Sequence, residues 1–181
     1  MSAGWYTVLI AAVAVERLVE LVLARRNQRW LLAQGAVERG AAHYPVMVVL
    51  HVGLLVGALA EVWLAPRQFI PALGWPALAV VVAAQALRWW CIRTLGRRWN
   101  TRVLVVPGLD LVGAGPYRLM PHPNYLAVVA EGVALPLVHD AWMTAIVFSV
   151  LNAVLLRTRI RVENEALRRL SPLPPIGVAV P

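Results

Sequence analysis

The residues best suited to chemistry lie between Gly115 and Tyr125. This segment reads Gly-Pro-Tyr-Arg-Leu-Met-Pro-His-Pro-Asn-Tyr, inside a chain that is otherwise mostly apolar. Each proline lacks a backbone N–H and disfavours helix in the residue before it, so residues 115–123 are predicted to be rigid and non-helical. A polar turn between membrane helices needs one or two prolines and a glycine, without a histidine and two tyrosines. The composition therefore favours a ligand-binding loop over a simple turn.

A helix is predicted to begin directly after this loop. Pro123 suits the first turn of a helix that starts near Asn124, because proline has no N–H to leave unpaired there. The first N–H groups of a helix have no partner within it and carry partial positive charge. They form a ready site for a carboxylate or a phosphate.

The composition places the chain in a membrane. It has 181 residues, of which 60% are hydrophobic and 14% charged, and its mean hydropathy is +0.68. These values are too apolar for a soluble domain of this size. A single cysteine, Cys91, excludes an internal disulfide and a cysteine metal cluster. No zinc spacing, Walker motif or Ser-His-Asp pattern stands out, so no metal site is predicted.

Five membrane helices are predicted to position the loop. Three are of spanning length, and two are short apolar segments that form a helical hairpin. Residues 157–170 follow as a separate charged helix, in which Arg159 and Glu163 lie four residues apart and meet on one face. The fold class is therefore an all-α integral membrane protein. The predicted helices cover residues 5–24, 44–65, 75–95, 125–138 and 142–156.

The distribution of arginine predicts the orientation. All 17 basic residues are arginines, and fourteen of them lie in residues 25–39, 93–118 and 157–169. The turns at residues 66–71 and 139–140 hold one between them. Since positive residues stay cytoplasmic, the N-terminus is expected outside, with the loop and the C-terminal helix inside. This pattern also accounts for the net charge of +8 without nucleic acid as a partner.

Several ionisable residues are expected inside the bilayer, where charges are expensive and face the bundle interior or a cavity. Glu16 and Glu20 are four apart on one helix face. They either pair structurally with arginines or contribute to a substrate site. Glu131 is a third intramembrane carboxylate. His51 reads more simply as a packing residue.

The order and spacing of three motifs resemble the isoprenylcysteine carboxyl methyltransferase family of integral membrane enzymes. The motifs are Gly-Pro-Tyr-Arg at residues 115–118, His-Pro-Asn-Tyr at 122–125 and Arg-Ile-Arg-Val-Glu-Asn-Glu-Ala-Leu at 159–167. Further matches at residues 16–21, 24–27, 35–38 and 43–45 look like a bacterial branch associated with type III polyketide synthases. Two positions depart from the family pattern. Pro121 replaces an arginine, and Asn164 replaces the second of two glutamates.

The resemblance implies S-adenosyl-L-methionine as the cofactor and Arg159 as the residue that faces the methyl acceptor. A hydroxyl acceptor must lose a proton, and His122, Glu131 or the Glu16/Glu20 pair are alternative bases. Arg159 would alternatively stabilise an acceptor oxyanion. The implied cofactor contacts are Leu109, Asp110, Leu111, Val112, Tyr117, His122, Pro123, Asn124, Tyr125 and Glu163.

By this resemblance the preferred activity is O-methylation of an alkylpyrone or alkylresorcinol taken from the lipid membrane, with a functional link to a type III polyketide synthase. Alternatives are an isoprenylcysteine carboxyl methyltransferase, a phospholipid N-methyltransferase and a non-catalytic lipid-binding or scaffold protein. Residues 1–181 would form one domain in the cell (inner) membrane. Within it, residues 1–95 hold three spans, 96–170 the catalytic core and 171–181 a frayed tail.

Overall fold

The computed structural model describes residues 2–65 and 67–170, and these form a bundle of five α-helices. The all-α class is thereby confirmed, with the addition of one pair of short strands. The predicted tail at residues 171–181 lies outside the described residues. The helices are α1 (Ala3–Ala33), α2 (Tyr44–Leu64), α3 (Pro71–Leu95), α4 (Pro123–Leu137) and α5 (Trp142–Leu170).

Three predicted helix boundaries are wrong. The third helix, α3, begins at Pro71 and not at residue 75, and the other two errors share a cause. The first helix does not end at residue 24 but continues to Ala33, through residues taken as a polar connection. Likewise, the short segment 142–156 and the charged helix 157–170 are one continuous helix, α5. Both errors have one cause: the sequence changes from apolar to charged without a glycine or proline, and arginine, leucine and alanine all favour helix.

Three helical segments in the described part of the chain are long and apolar enough to cross a membrane. They are Ala41–Leu64, Pro71–Arg98 and Trp142–Leu170. The helix α1 has the length, but Glu16, Arg17 and Glu20 interrupt its apolar run. The helix α4 has 15 residues, fewer than the ~20 needed for a full span. The chain is thus a membrane protein by these helices, and the number of five spans stays a prediction.

One end of the bundle is built from short turns and helix starts. Glu61, near the end of α2, accepts hydrogen bonds from the backbone N–H groups of Met143 (3.2 Å) and Thr144 (2.8 Å) at the start of α5. It also forms an ion pair with Arg67 at 2.8 Å. A carboxylate at a helix N-terminus offsets the partial positive charge of the unpaired N–H groups. This contact fixes α5 to α2 at the arginine-poor end.

The opposite end holds two three-residue strands, β1 (Val37–Arg39) and β2 (Val103–Val105), which pair antiparallel. Val103 and Val105 are buried against Ala166 of α5. The backbone N–H of Gly108 donates to the carbonyl of Leu170 at 2.9 Å. The two long connections and the end of α5 therefore form one layer at the arginine-rich end of the bundle.

The helices α4 and α5 approach closely where α4 has a glycine. A Cβ atom added at Gly132 would overlap the ring of Phe148 on α5. Phe148 is itself buried and packs edge-on against His51 of α2, at 5.6 Å between ring centroids. The ring has little room to move, so the spacing between α4 and α5 depends on the missing side chain at residue 132.

We expect Gly132→Ala to destabilise the protein by about 1–3 kcal/mol, the usual cost of overpacking. Gly53→Ala on α2 is the matched control. Nothing lies within 4 Å of a Cβ at Gly53, so this change should be neutral or stabilising by up to about 1 kcal/mol through helix propensity. Thermal unfolding of both variants in the same detergent measures the difference. Equal melting temperatures would contradict the close packing of α4 on α5.

Candidate functional site

The loop after β2 delivers its polar residues to the start of α4. Residues Gly115–Arg118 form a single 3₁₀ turn, and Gly115 has a φ of +56° that suits glycine. Pro123 is the first residue of α4, as predicted, and His122 precedes it in the N-cap position. The His122 side chain makes no capping hydrogen bond. Pro123 has no N–H, and the N–H of Tyr125 donates to the carbonyl of His122 at 3.1 Å. The N–H of Asn124 is therefore the donor that this end of α4 presents without a side-chain cap.

His122 faces α5 instead of capping α4. Its Nε2 lies 3.1 Å from Oδ1 of Asn164, within hydrogen-bond distance. Its ring stacks on Tyr125 at 5.2 Å between centroids, and its Nδ1 lies 3.9 Å from Oε1 of Glu163. Asn164, a departure from the family pattern, is thus a direct partner of the motif histidine.

Arg159 and Glu163 are connected through a tyrosine. The phenolic oxygen of Tyr125 accepts a hydrogen bond from Nε of Arg159 at 3.2 Å and donates one to Glu163. Among the described residues, Arg159 and Glu163 form no direct ion pair, so the simple helix salt bridge is not what this spacing produces. Arg159 and Glu163 nevertheless lie on one helix face, as predicted, and Tyr125 joins them in one candidate site.

Neutral groups satisfy the rest of the Arg159 guanidinium. Its Nη2 donates to the carbonyl of Thr101 at 2.5 Å, and its Nη1 donates to Sδ of Met47 at 2.9 Å. The side chain is only 7% exposed. Since each of these partners comes from a different element, Arg159 joins α2, α4, α5 and the connection between α3 and β2.

That connection is itself held against α1 by two asparagines. The side chain of Asn27 donates to the carbonyls of Gly96 (3.2 Å) and Trp99 (2.8 Å). In return, Asn100 donates to the carbonyl of Ala24 at 2.8 Å. These bonds fix the position of Thr101 and hence the orientation of Arg159.

Two cavities lie on either side of these residues. The first, which we term the loop cavity, opens among the connections at the arginine-rich end and includes Tyr117, Pro121, His122 and Glu163. The second, the helix cavity, lies deeper, between α1, α2, α3, α4 and α5. Its wall is mostly aliphatic and includes Val48 and Val52, which are 37% and 55% exposed. The helix cavity therefore opens sideways, at the lipid-facing surface of α2.

Five residues line both cavities and form a common wall: Trp99, Asn100, Asn124, Tyr125 and Arg159. Within the described chain, Oδ1 of Asn124 and Nε1 of Trp99 are buried without a hydrogen-bond partner. Buried polar atoms are almost always paired, and a ligand at the wall would supply partners for these two. Two molecules, one in each cavity, would meet at Tyr125 and Arg159.

The deep end of the helix cavity is charged. Arg17 and Glu20 of α1 pair at 2.6 Å, and Arg88 of α3 forms an ion pair with Glu131 of α4. Arg88 also faces Glu20 at 3.6 Å. Glu16 completes this cluster, accepting hydrogen bonds from Gln85 and Trp89. Arg17, Glu20 and Arg88 line the cavity, whereas Glu16 and Glu131 stand behind them.

The predicted cofactor contacts fall into two groups. Tyr117, His122, Asn124, Tyr125 and Glu163 line the loop cavity, and Pro123 begins the helix between them. Burial raises the pKa of the Tyr117 phenol above its ordinary value, helped by its hydrogen bond with Cys91, so this residue is a neutral donor. Residues Leu109, Asp110, Leu111 and Val112 do not line either cavity. Arg98, a residue of the loop-cavity wall, donates to the carbonyl of Asp110 at 2.8 Å, and the cofactor role of residues 109–112 stays a prediction.

Several residues of the cavity walls were not predicted from the sequence to belong to a site. Trp99, Asn100 and Thr101 belong to a polar connection with no recognisable motif, although the run Trp-Asn-Thr-Arg in an apolar chain is a weak signal. Met47 and His51 are four residues apart on α2 and share a face. That spacing was available from the sequence, but nothing in it showed that this face meets Arg159.

The comparisons with known proteins agree with these motifs. The profile of the isoprenylcysteine carboxyl methyltransferase (ICMT) family matches residues 77–169. The chain is 42% identical to the uncharacterized protein YpbQ of Bacillus subtilis (strain 168), over 92% of this chain and 98% of that protein. It is 25% identical to an uncharacterized protein of Haemophilus influenzae, over 91% and 96% of the two chains. No solved structure matches the chain.

Removing Arg88 tests whether the charged cluster holds α1, α3 and α4 together. Arg88→Met would leave Glu131 and Glu20 buried with Arg17 as their remaining cation, and breaking a buried pair costs about 3–5 kcal/mol. We expect a large loss of thermal stability in detergent. Arg169→Met, which removes an exposed pair with Glu165 on α5, is the control and should change little. Similar melting temperatures for the two variants would show that the cluster is not structural.

Proposed function

Since the chain belongs to the isoprenylcysteine carboxyl methyltransferase family, a family of membrane methyltransferases, we propose that it transfers a methyl group from S-adenosyl-L-methionine to a lipophilic acceptor. The observation that carries this proposal is the wall shared by the two cavities. A water-soluble donor and a lipid-soluble acceptor need separate entrances and a common meeting point. The loop cavity and the helix cavity supply both.

The residues of the loop cavity fit S-adenosyl-L-methionine. Glu163 suits a cationic amino group. The uncapped N–H of Asn124 at the start of α4 suits a carboxylate. Tyr117 and the stacked pair His122–Tyr125 offer aromatic faces. The Oδ1 of Asn124, which has no partner among the described residues, would accept a hydrogen bond from the ligand. When bound, the cofactor supplies an electrophilic methyl group on a sulfonium.

The protein's own contribution is to position and desolvate the reacting groups. Holding two reactants in the right geometry lowers the barrier by several kcal/mol. Arg159 is buried and fixed by three neutral partners, so its charge is available to an oxyanion that develops in the helix cavity. The surrounding aliphatic side chains exclude water, which strengthens that interaction.

The preferred acceptor is the hydroxyl of an alkylated polyketide, such as an alkylpyrone or alkylresorcinol. An aliphatic cavity with a lateral opening suits the alkyl chain, and the polar wall suits the oxygenated ring. A prenylated cysteine carboxylate is the alternative, since it fits the family and the same cavity. Production of the preferred acceptor would link this protein to a type III polyketide synthase.

The proposed orientation places the loop cavity on the cytoplasmic side of the cell membrane and the N-terminus outside. Support comes from the arginine-rich end, which holds the loop cavity, whereas the turn around Arg67 and Asp140 lies at the other end. The soluble cofactor would then enter from the cytoplasm. The acceptor would enter sideways from the bilayer.

Calorimetric titration with S-adenosylhomocysteine tests the donor site directly. Glu163→Ala and His122→Ala should each weaken binding by about tenfold to a hundredfold or more, because hydrogen bonds to charged groups contribute about 1.5–3 kcal/mol. Glu165→Ala is the control, two residues further on the same helix, where the carboxylate is exposed and paired with Arg169. Absence of binding to the folded wild-type protein, or normal binding to both site variants, would refute the proposed site.

Pro121→Arg tests the effect of the family departure in the loop. Pro121 is exposed and lines the loop cavity. Restoring the arginine should leave affinity for S-adenosylhomocysteine unchanged or raise it by up to about fivefold, since exposed charge interactions contribute about 0–1 kcal/mol. The same titration measures it. A collapse in affinity would mean that the loop holds its ligand in a different way from the rest of the family.

A further inference from the structure

His51 has the geometry of a proton acceptor inside the helix cavity. It lines that cavity from α2, and its Nδ1 lies 2.8 Å from the backbone carbonyl of Met47. A carbonyl oxygen only accepts hydrogen bonds, so Nδ1 carries the hydrogen. In the neutral ring Nε2 then keeps its lone pair. The edge-on contact with Phe148 holds the ring in place.

Met47 connects this histidine to the wall between the cavities. Its carbonyl fixes the tautomer of His51, and its sulfur contacts the guanidinium of Arg159 at 2.9 Å. His51 therefore lies one helical turn, about 5 Å along the axis, deeper than the Arg159 contact. An acceptor ring in the helix cavity would reach Arg159 and His51 together.

The carboxylates near the cavity are already paired with arginines. Glu20 is held by Arg17 at 2.6 Å and faces Arg88 at 3.6 Å. Glu131 is paired with Arg88 and does not line the cavity. Each of these carboxylates is therefore engaged by a guanidinium group. The hydrogen-bond partner of His51 is a neutral carbonyl.

We propose that His51 is the general base that deprotonates a hydroxyl acceptor; this inference rests on the proposed methyl transfer. The acceptor O–H bond breaks and its proton passes to Nε2 of His51. The acceptor oxygen forms a bond to the methyl carbon as the methyl–sulfur bond breaks. The acceptor becomes a methyl ether, the sulfonium becomes a neutral thioether, and His51 becomes an imidazolium that returns its proton to water.

This role selects a class of acceptor. A carboxylate is already ionised near neutral pH, so methylation of a prenylated cysteine needs no base. A phenol or enol hydroxyl does need one. A fixed lone pair in the acceptor cavity is therefore a reason, independent of the sequence motifs, to favour a hydroxyl acceptor over a carboxylate.

The first test needs no turnover. The protein is labelled with ¹⁵N-histidine and placed in lipid nanodiscs; its 4 histidines give separate signals, and His51→Gln identifies one of them. Without ligand, His51 should show the Nδ1–H tautomer. Addition of 5-pentadecylresorcinol should move the Nε2 signal toward that of a hydrogen-bonded nitrogen, while the dimethyl ether of the same compound should not. An Nε2–H tautomer, or a signal that ignores the resorcinol, would overturn the proposal.

The second test compares acceptors. With 5-pentadecylresorcinol, His51→Gln should lower kcat by about 10²–10⁴-fold, the usual contribution of a general base, with KM changed only a few-fold. With N-acetyl-S-farnesylcysteine, whose carboxylate needs no base, any loss of kcat should be far smaller than with the resorcinol. His43→Gln is the control, because His43 lines neither cavity.

Two outcomes would overturn the role of His51 alone. One is a His51→Gln variant that methylates the resorcinol as fast as the wild type does. The other is a wild type that binds S-adenosylhomocysteine but transfers no methyl group to the resorcinol. A wild type that does not bind S-adenosylhomocysteine would overturn the proposed function as well.

Discussion

Arg159 imposes the strictest constraint on this structure. Its guanidinium is buried, and within the described residues its partners are a phenol, a peptide carbonyl and a thioether, with no carboxylate at ion-pair distance. Burying a charge without an opposite charge is costly unless every donor is satisfied. The partners come from α4, from the connection after α3, and from α2. These three elements must therefore converge on α5 at one point, and that point is the wall between the cavities.

The charged cluster at the deep end of the helix cavity also buries arginines, but there the guanidinium groups are paired with carboxylates. Three carboxylates, Glu16, Glu20 and Glu131, surround two guanidiniums, Arg17 and Arg88, so that every charge has at least one opposite neighbour. Such groups pair within a bundle because the lipid offers no alternative partner. The cluster joins α1, α3 and α4. Together with Arg159 it fixes all five helices around the helix cavity and leaves the lateral opening at α2.

The helices were predictable from the sequence, whereas several of their ends and most of their tertiary contacts were not. The start of α4 at Pro123 was predictable because proline restricts its own φ and removes a donor. The continuity of α5 through residue 157 was not, since a change in polarity does not break a helix. The pairing of β1 with β2 joins residues more than sixty positions apart. Three-residue strands carry too little pattern to show such a pairing.

The motif residues of the site were found for a related reason. His122 and Tyr125 lie in one short segment, and Arg159 and Glu163 lie in another. The resemblance to the family and the arginine distribution indicated that the two segments share one site. The segment 109–112 was expected beside them; it does not line either cavity, while Asp110 bonds Arg98 of the loop-cavity wall. Asn27, Thr101 and His51 act through backbone carbonyls or across distant helices. No local pattern records such contacts, because any residue supplies the same carbonyl.

The two departures from the family pattern are neighbours in space. Pro121 precedes His122, and the amide of Asn164 lies within hydrogen-bond distance of the ring of His122. One departure removes a positive charge and the other removes a negative charge, so the net charge around the histidine is conserved. The two changes therefore offset each other in charge on either side of His122. Tyr125 still joins Arg159 to Glu163 beside them, so the altered positions leave the connection between the two motifs intact.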